Sequence, residues 1–232
     1  MIEEPALIRC VKKEKRKRPT LDQLNGFSGV PTAYVADAMF GVGCMSSEIK
    51  PLSAGKVSPV LVGPALTVNS GPGDILALLV SLSEISTGDV IVNAFGGCRN
   101  IAAAGDRVLS MMDNVGAAGF ITDGPVRDSV GILKTKILCF SAGLSPNSPS
   151  CCGPGTIGFP VDIGGKTVVS GDIIVADAEG VVVVPLEQVD NVLKQLQVVK
   201  SLEASLDKEI EKGLKIPKDI AEFINSDQIE YL

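Results

Sequence analysis

Residues 105–128, GDRVLSMMDNVGAAGFITDGPVRD, set Asp106 and Arg107 at the front of a mostly apolar, Gly-rich stretch and Arg127 and Asp128 at its back. These residue types suit one kind of chemistry. An arginine grips a carboxylate with two parallel hydrogen bonds. An aspartate offers hard oxygen to Mg²⁺ or Mn²⁺. Free amides at a helix start, here those of Arg107 and Val108 after Gly105, favour an anion. Together they would hold a 2-oxo acid, with Asp128 on the metal and Asp106 acting through a water. Spacing alone leaves a plainer reading open, in which Asp106 caps a helix and Arg127–Asp128 is a loop ion pair.

Twenty residues lie between Asp106 and Arg127, which is long in sequence but short in an α/β fold. Residues 90–97, VIVNAFGG, read as a buried strand, 106–116 as a helix and 117–124 as a second buried strand. As one right-handed βαβ unit they return the chain to the same edge of a parallel sheet, where ligands of open α/β sheets bind. Asp106 and Arg127 would then face each other. Of the other acids, Asp89, Asp172 and Asp123 read as turn residues, and Glu48 and Glu84 as exposed polar positions.

Around this unit, 20–43 reads as helix, turn, helix, the second helix opening at Pro31-Thr32. An extended apolar stretch follows at 60–69, and a helix at 74–86. Residues 141–165 read as a long irregular loop. Three β-rich pieces occupy 166–185, split by Ser-Gly-Asp and Ala-Glu-Gly turns. From Leu186 apolar residues keep helical spacing to Ile210, and Gly213 closes that helix. We divide the chain into a basic extension (1–19), a single domain (20–213) and a tail (214–232).

Composition excludes several functions. The 232 residues contain no histidine, which rules out Ser-His and Cys-His catalysis and makes zinc a poor fit. Six cysteines show no metal-finger spacing; Cys98 and Cys139 read as buried thiols. A P-loop at GGKTVV would need glycine where Pro160 stands. No run of eighteen apolar residues occurs and no signal-peptide pattern opens the chain, so a cytoplasmic protein without a membrane partner is expected. Net charge is −6, yet residues 9–18 hold seven of the 21 basic side chains. Without interleaved aromatics this run reads as a solvated extension, and nucleic acid is not an expected partner.

Beyond the opening stretch, TAYVADAM, GPALTV, GPGDILAL, FSAGLSPNSP, GPGTIGFPV and SGDIIVADAEGVVVVP occur in order. As a set they resemble the class II pyruvate aldolases of the 4-hydroxy-4-methyl-2-oxoglutarate aldolase type, which share a fold with the regulators of ribonuclease activity A. The resemblance covers roughly residues 30–200. It implies an α/β fold, a swivelling β/β/α three-layer domain, assembled as a homotrimer or homohexamer with sites at subunit interfaces. It implies an oxo-acid substrate held by Gly105, Asp106, Arg107, Val108 and Arg127, with Asp106 and Arg127 catalytic. Asp128 would bind Mg²⁺ or Mn²⁺, and Asp106 and a neighbouring subunit's glutamate, here Glu203, would reach the metal through water. The implied reaction is retro-aldol cleavage to pyruvate, with oxaloacetate decarboxylation as a side activity. The alternative is a non-catalytic regulator binding a ribonuclease or another protein. Asp106 speaks for the aldolases, since the regulators generally lack an acid there. Arg107 stands where aldolases usually have Leu, Ala142 where many relatives have Arg, and the helix near residue 80 lacks their His.

Overall fold

A computed structural model describes residues 7–52 and 60–231. Its main sheet runs in the order β1 (Ile8–Cys10), β7 (Gly155–Ile157), β3 (Leu61–Asn69), β4 (Val90–Ala94), β5 (Gly119–Thr122), β6 (Leu138–Ser141) and β2 (Lys50–Pro51). The expected βαβ unit is present. β4 and β5 pair in parallel from Val90 with Gly119, joined by α4 (Asp106–Asn114). β3 serves two sheets. Its first half pairs antiparallel with β10 (Ile173–Asp177), which pairs with β11 (Gly180–Val184), and its second half pairs in parallel with β4. A small hairpin of β8 (Val161–Ile163) and β9 (Lys166–Val168) completes the strands.

Three apolar seams hold these pieces together. α3 (Leu76–Ser81), α4 and α5 (Ser129–Ile132) cover one face of the main sheet, burying Leu66, Ile91, Leu109, Met112 and Phe120. Between the sheets lie Val90, Val92, Ile121, Phe140, Ile174 and Val183. The outer face of β10–β11 carries Ile173, Val175, Val182 and Val184, which could not stay in water. α1 (Leu21–Asn25), α2 (Thr32–Ala38) and α6 (Val189–Glu211) cover it as a further helical layer. Coverage on both faces explains why IIVA and VVVV read as unbroken apolar runs. The β/β/α layering is therefore present, with these helices added outside.

Four readings are corrected. Residues 141–165 are not wholly irregular, because β7 and β8 form there as strands of three residues, too short for a periodic signal. A short helix, α7 (Lys218–Ile224), follows α6. The basic run is not a solvated extension. After β1 pairs with β7, residues 11–18 lie as a strap over the domain. The Arg16 side chain is 4% exposed and the Asp89 side chain 0%, with Arg16 and Arg18 both turned to Asp89, while Lys12 pairs with Glu84. Glu84 is accordingly buried rather than exposed. A buried carboxylate requires a nearby cation, and the strap supplies three.

Candidate active site

At the carboxyl ends of β4, β5 and β6 the chain continues the sheet by single bridges, Ala104 with Val126 and Val126 with Leu144. The Ala103 amide donates to Pro125 O at 2.7 Å, Arg127 N to Ala104 O at 3.0 Å, and Val126 N to Gly143 O at 2.9 Å. These bonds set the start of α4 against the 125–128 turn. The twenty-residue gap is thus closed as the βαβ geometry requires.

Gly105 permits the approach. A Cβ there would sit 3.0 Å from Asp128 Oδ2 and 3.1 Å from Arg127 Cγ, so both side chains lie across bare backbone. Arg127 Nε is 3.4 Å from Asp128 Oδ2, and Arg127 Nη1 donates to Ser148 Oγ. Asp128 has φ 55° and ψ 41°, a left-handed conformation that Asp and Asn tolerate best after glycine. Asp106 opens α4, half-buried, with its side chain packed on Gly131 of α5. Arg107 is exposed and Val108 buried.

One expected donor is engaged elsewhere. The Val108 amide donates to Gly105 O at 3.1 Å, closing the first helical turn. Among the described residues, the amides of Asp106 and Arg107 have no acceptor, so the pair facing an anion is shifted by one residue. Gly105, Asp106, Arg107, Arg127, Asp128 and Ser148 line a cavity of about 190 Å³, with Val108 behind them and Ile75 and Pro149 as an apolar wall. A hollow of about 410 Å³ beside the Arg99–Glu48 pair is larger. Its one carboxylate, Glu48, is already paired with Arg99, whereas the smaller cleft brings two carboxylates and an arginine to a helix start, so chemistry rather than size selects the smaller cleft.

Ser148 and Gly131 escaped the sequence reading. Ser148 lies within FSAGLSPNSP, where nothing in residue type or spacing marked it as a site residue, and the proximity of Gly131 to Asp106 depends on how α5 turns back on α4. Glu203 lies on α6, which packs along α2. It is not part of this cleft within one chain.

The carboxylates suit a particular class of metal. Among the described residues no three His, Cys, Asp or Glu side chains gather into a cation cage. Asp106 and Asp128 stand alone at the cleft, and half of the Asp128 side chain is open to solvent. Mg²⁺ and Mn²⁺ fit such a sparse oxygen set, because Mg²⁺ is ordinarily held by one or two carboxylates plus waters and substrate.

The aldolase/RraA family profile, described as RraA-like, matches residues 32–183. A Halalkalibacterium halodurans protein with the provisional name 4-hydroxy-4-methyl-2-oxoglutarate aldolase is 40% identical over 176 residues, covering 75% of this chain and 82% of that protein. The chain belongs to the aldolase/RraA family. Solved structures agree on the fold. An uncharacterized Pseudomonas syringae protein superposes with a TM-score of 0.73 at 24% identity, over 86% of this chain and 96% of that one. The RNA-processing inhibitor RraA from Thermus thermophilis does so with a TM-score of 0.60 at 22% identity, over 67% and 93%. The aldolase/RraA segment thus contains the whole cleft. Among the described residues no helix is long and apolar enough to cross a membrane.

Proposed function

We propose that the protein is a divalent-metal-dependent pyruvate-type aldolase, cleaving 4-hydroxy-4-methyl-2-oxoglutarate or a related 4-hydroxy-2-oxo acid. The observation that carries the proposal is the meeting of Asp106 with Arg127–Asp128 over Gly105 at the start of α4. The provisional name of the Halalkalibacterium relative supports the same reaction class.

In this reading the Asp106 and Arg107 amides and the Arg127 guanidinium bind the substrate's 2-oxo-carboxylate end. Ser148 fixes the Arg127 fork, so little reorganisation is needed as charge develops. Asp128 would hold Mg²⁺ or Mn²⁺, which when bound supplies Lewis-acid polarisation of the keto oxygen. Asp106 accepts the proton of the 4-hydroxyl through a water as the C3–C4 bond breaks, and the electron pair passes into the pyruvate enolate. Returning that proton to C3 releases pyruvate. Arg127 offsets the enolate charge. Loss of CO₂ from oxaloacetate produces the same enolate, so decarboxylation accompanies the aldolase activity. The working form is a trimer or hexamer, in which Glu203 of an adjoining subunit completes the site through water.

Release of pyruvate from both substrates, with Mg²⁺ or Mn²⁺ and with EDTA, tests this. Asp128→Asn is the informative variant, since Asn tolerates the left-handed backbone and removes only the charge. The expected result is metal-dependent turnover in the wild type and a loss of at least about a hundredfold in the folded variant. Absence of turnover by the folded wild type on either substrate overturns the aldolase reading. It would turn attention to the alternative of a non-catalytic regulator that binds a protein partner, the Thermus relative being an RNA-processing inhibitor.

A further inference from the structure

A third cavity, of about 660 Å³, lies under the strap. Arg16 lines it and reaches Asp89 at the amino end of β4, whereas the catalytic cleft opens at that strand's carboxyl end. Two glycines let the strap come close. A Cβ on Gly158 would lie 2.9 Å from Val11 Cβ, and one on Gly171, at φ +101°, would press on the Lys17 carbonyl.

The walls differ in character. Val11, Val169, Pro185 and Leu186 form an apolar surface, and Val169 is left 45% exposed. Lys15, Arg16 and Lys17 line the strap side. Arg16 carries an unmet donor. Its Nη2 donates to Glu84 O and its Nη1 is 3.8 Å from Asp89 Oδ2, while its buried Nε has no hydrogen-bond partner. The lining acids do not cancel this charge equally. Asp172 accepts from Val169 N at 2.8 Å and Leu186 N at 2.9 Å, so it holds the apolar wall in shape. Glu187, exposed, stands at the α6 side of the rim.

We propose that this cavity is a binding site for a small organic anion with an apolar body, its carboxylate or sulfonate set against Lys15, Arg16 and Lys17 and its hydrocarbon part on Val11, Val169, Pro185 and Leu186. The volume lies within the range of about 300–1,000 Å³ common for small-molecule sites, and apolar walls with a few convergent polar groups are their usual make-up. Arg16 already faces Asp89 and Asp172 is held by backbone amides, so Lys15 and Lys17 against Glu187 at the rim select the sign of the ligand. The site is independent of the reaction proposed for the cleft.

The test titrates the full chain with 8-anilinonaphthalene-1-sulfonate, an apolar anion whose emission rises out of water, and displaces it with octanoate, octylammonium or pyruvate. One saturable site per chain is expected, displaced by octanoate but not by octylammonium or pyruvate. Lys15→Glu with Lys17→Glu should weaken binding by at least about tenfold, as loss of charge-assisted contacts predicts. Val169→Trp should abolish binding by filling the cavity, and it decides the matter if the double variant fails to fold. Neither change touches the cleft, so pyruvate formation should stay at the wild-type rate. Absence of saturable binding, binding unchanged in folded Val169→Trp, or displacement by octylammonium as readily as by octanoate would overturn the proposal.

Discussion

Gly131 has no side chain where the Asp106 carboxylate needs room. A Cβ added there would lie 2.6 Å from Asp106 Cβ and 2.8 Å from its Cγ, well inside contact distance. Because that side chain opens α4 and its neighbours are pinned by the Gly105 turn, the strain would fall on its rotamer rather than on the helix. Gly131→Ala should therefore fold normally yet lose at least about tenfold in pyruvate formation, since displacing a proton-handling group by about an ångström is costly. The comparison that checks it is activity beside the thermal midpoint. Full activity with an unshifted midpoint would remove Asp106 from the chemistry. Gly105 carries the same lesson from the other side, because Arg127 and Asp128 lie across it.

The strap is the element whose role the sequence hid. Burial alone would raise the Glu84 carboxyl, but the hydrogen bond from Lys12, the Lys13 amide and the charges of Lys12 and Arg16 outweigh it and hold the group below its ordinary 4.5. With the folded value below the unfolded one, the stabilisation is complete above about pH 4.5 and is lost as pH falls through the folded value. Glu84→Gln should destabilise the protein by about 2 kcal/mol near neutrality, less than a fully buried pair because Lys12 is largely exposed. Urea midpoints across pH should show that gap constant above pH 5 and shrinking below 4.5. A gap independent of pH would show that the contact is not ionic. The βαβ unit was legible because its apolar runs and turn residues repeat at the right lengths. The strap was not, since seven basic residues in ten look solvated until the buried acids they meet are known, and Glu84 and Asp89 lie some seventy positions away. Within the cleft, the types and spacing of Asp106, Arg127 and Asp128 were readable. The hydrogen bond that occupies the Val108 amide was not, being a detail of the first helical turn.

At the scale of the molecule, the far half of α6, α7 and the turn between them leave Leu202, Ile210, Ile216 and Phe223 between 46% and 65% exposed. On α6 Leu202, Leu206 and Ile210 recur at helical spacing on one exposed face, the kind of apolar surface that marks an interaction site; the chain itself is 24.1 kDa. On the trimer or hexamer reading, light scattering should return three or six times that mass. Leu202→Asp with Ile210→Asp should lower it toward one chain and depress pyruvate formation together. A monomeric wild type with full activity would separate catalysis from assembly. The pairing of β1 with β7 has a consequence of another kind, in time rather than space. Ile8 is made well over a hundred residues before its partner Gly155 and the Gly171 turn beneath the strap, an interval on the order of ten seconds at usual rates of synthesis. For roughly the second half of that interval Glu84 and Asp89 are present without a seated strap. The strap is thus made well before its seat is complete, and until then its positive charge lacks the buried setting in which it meets those acids.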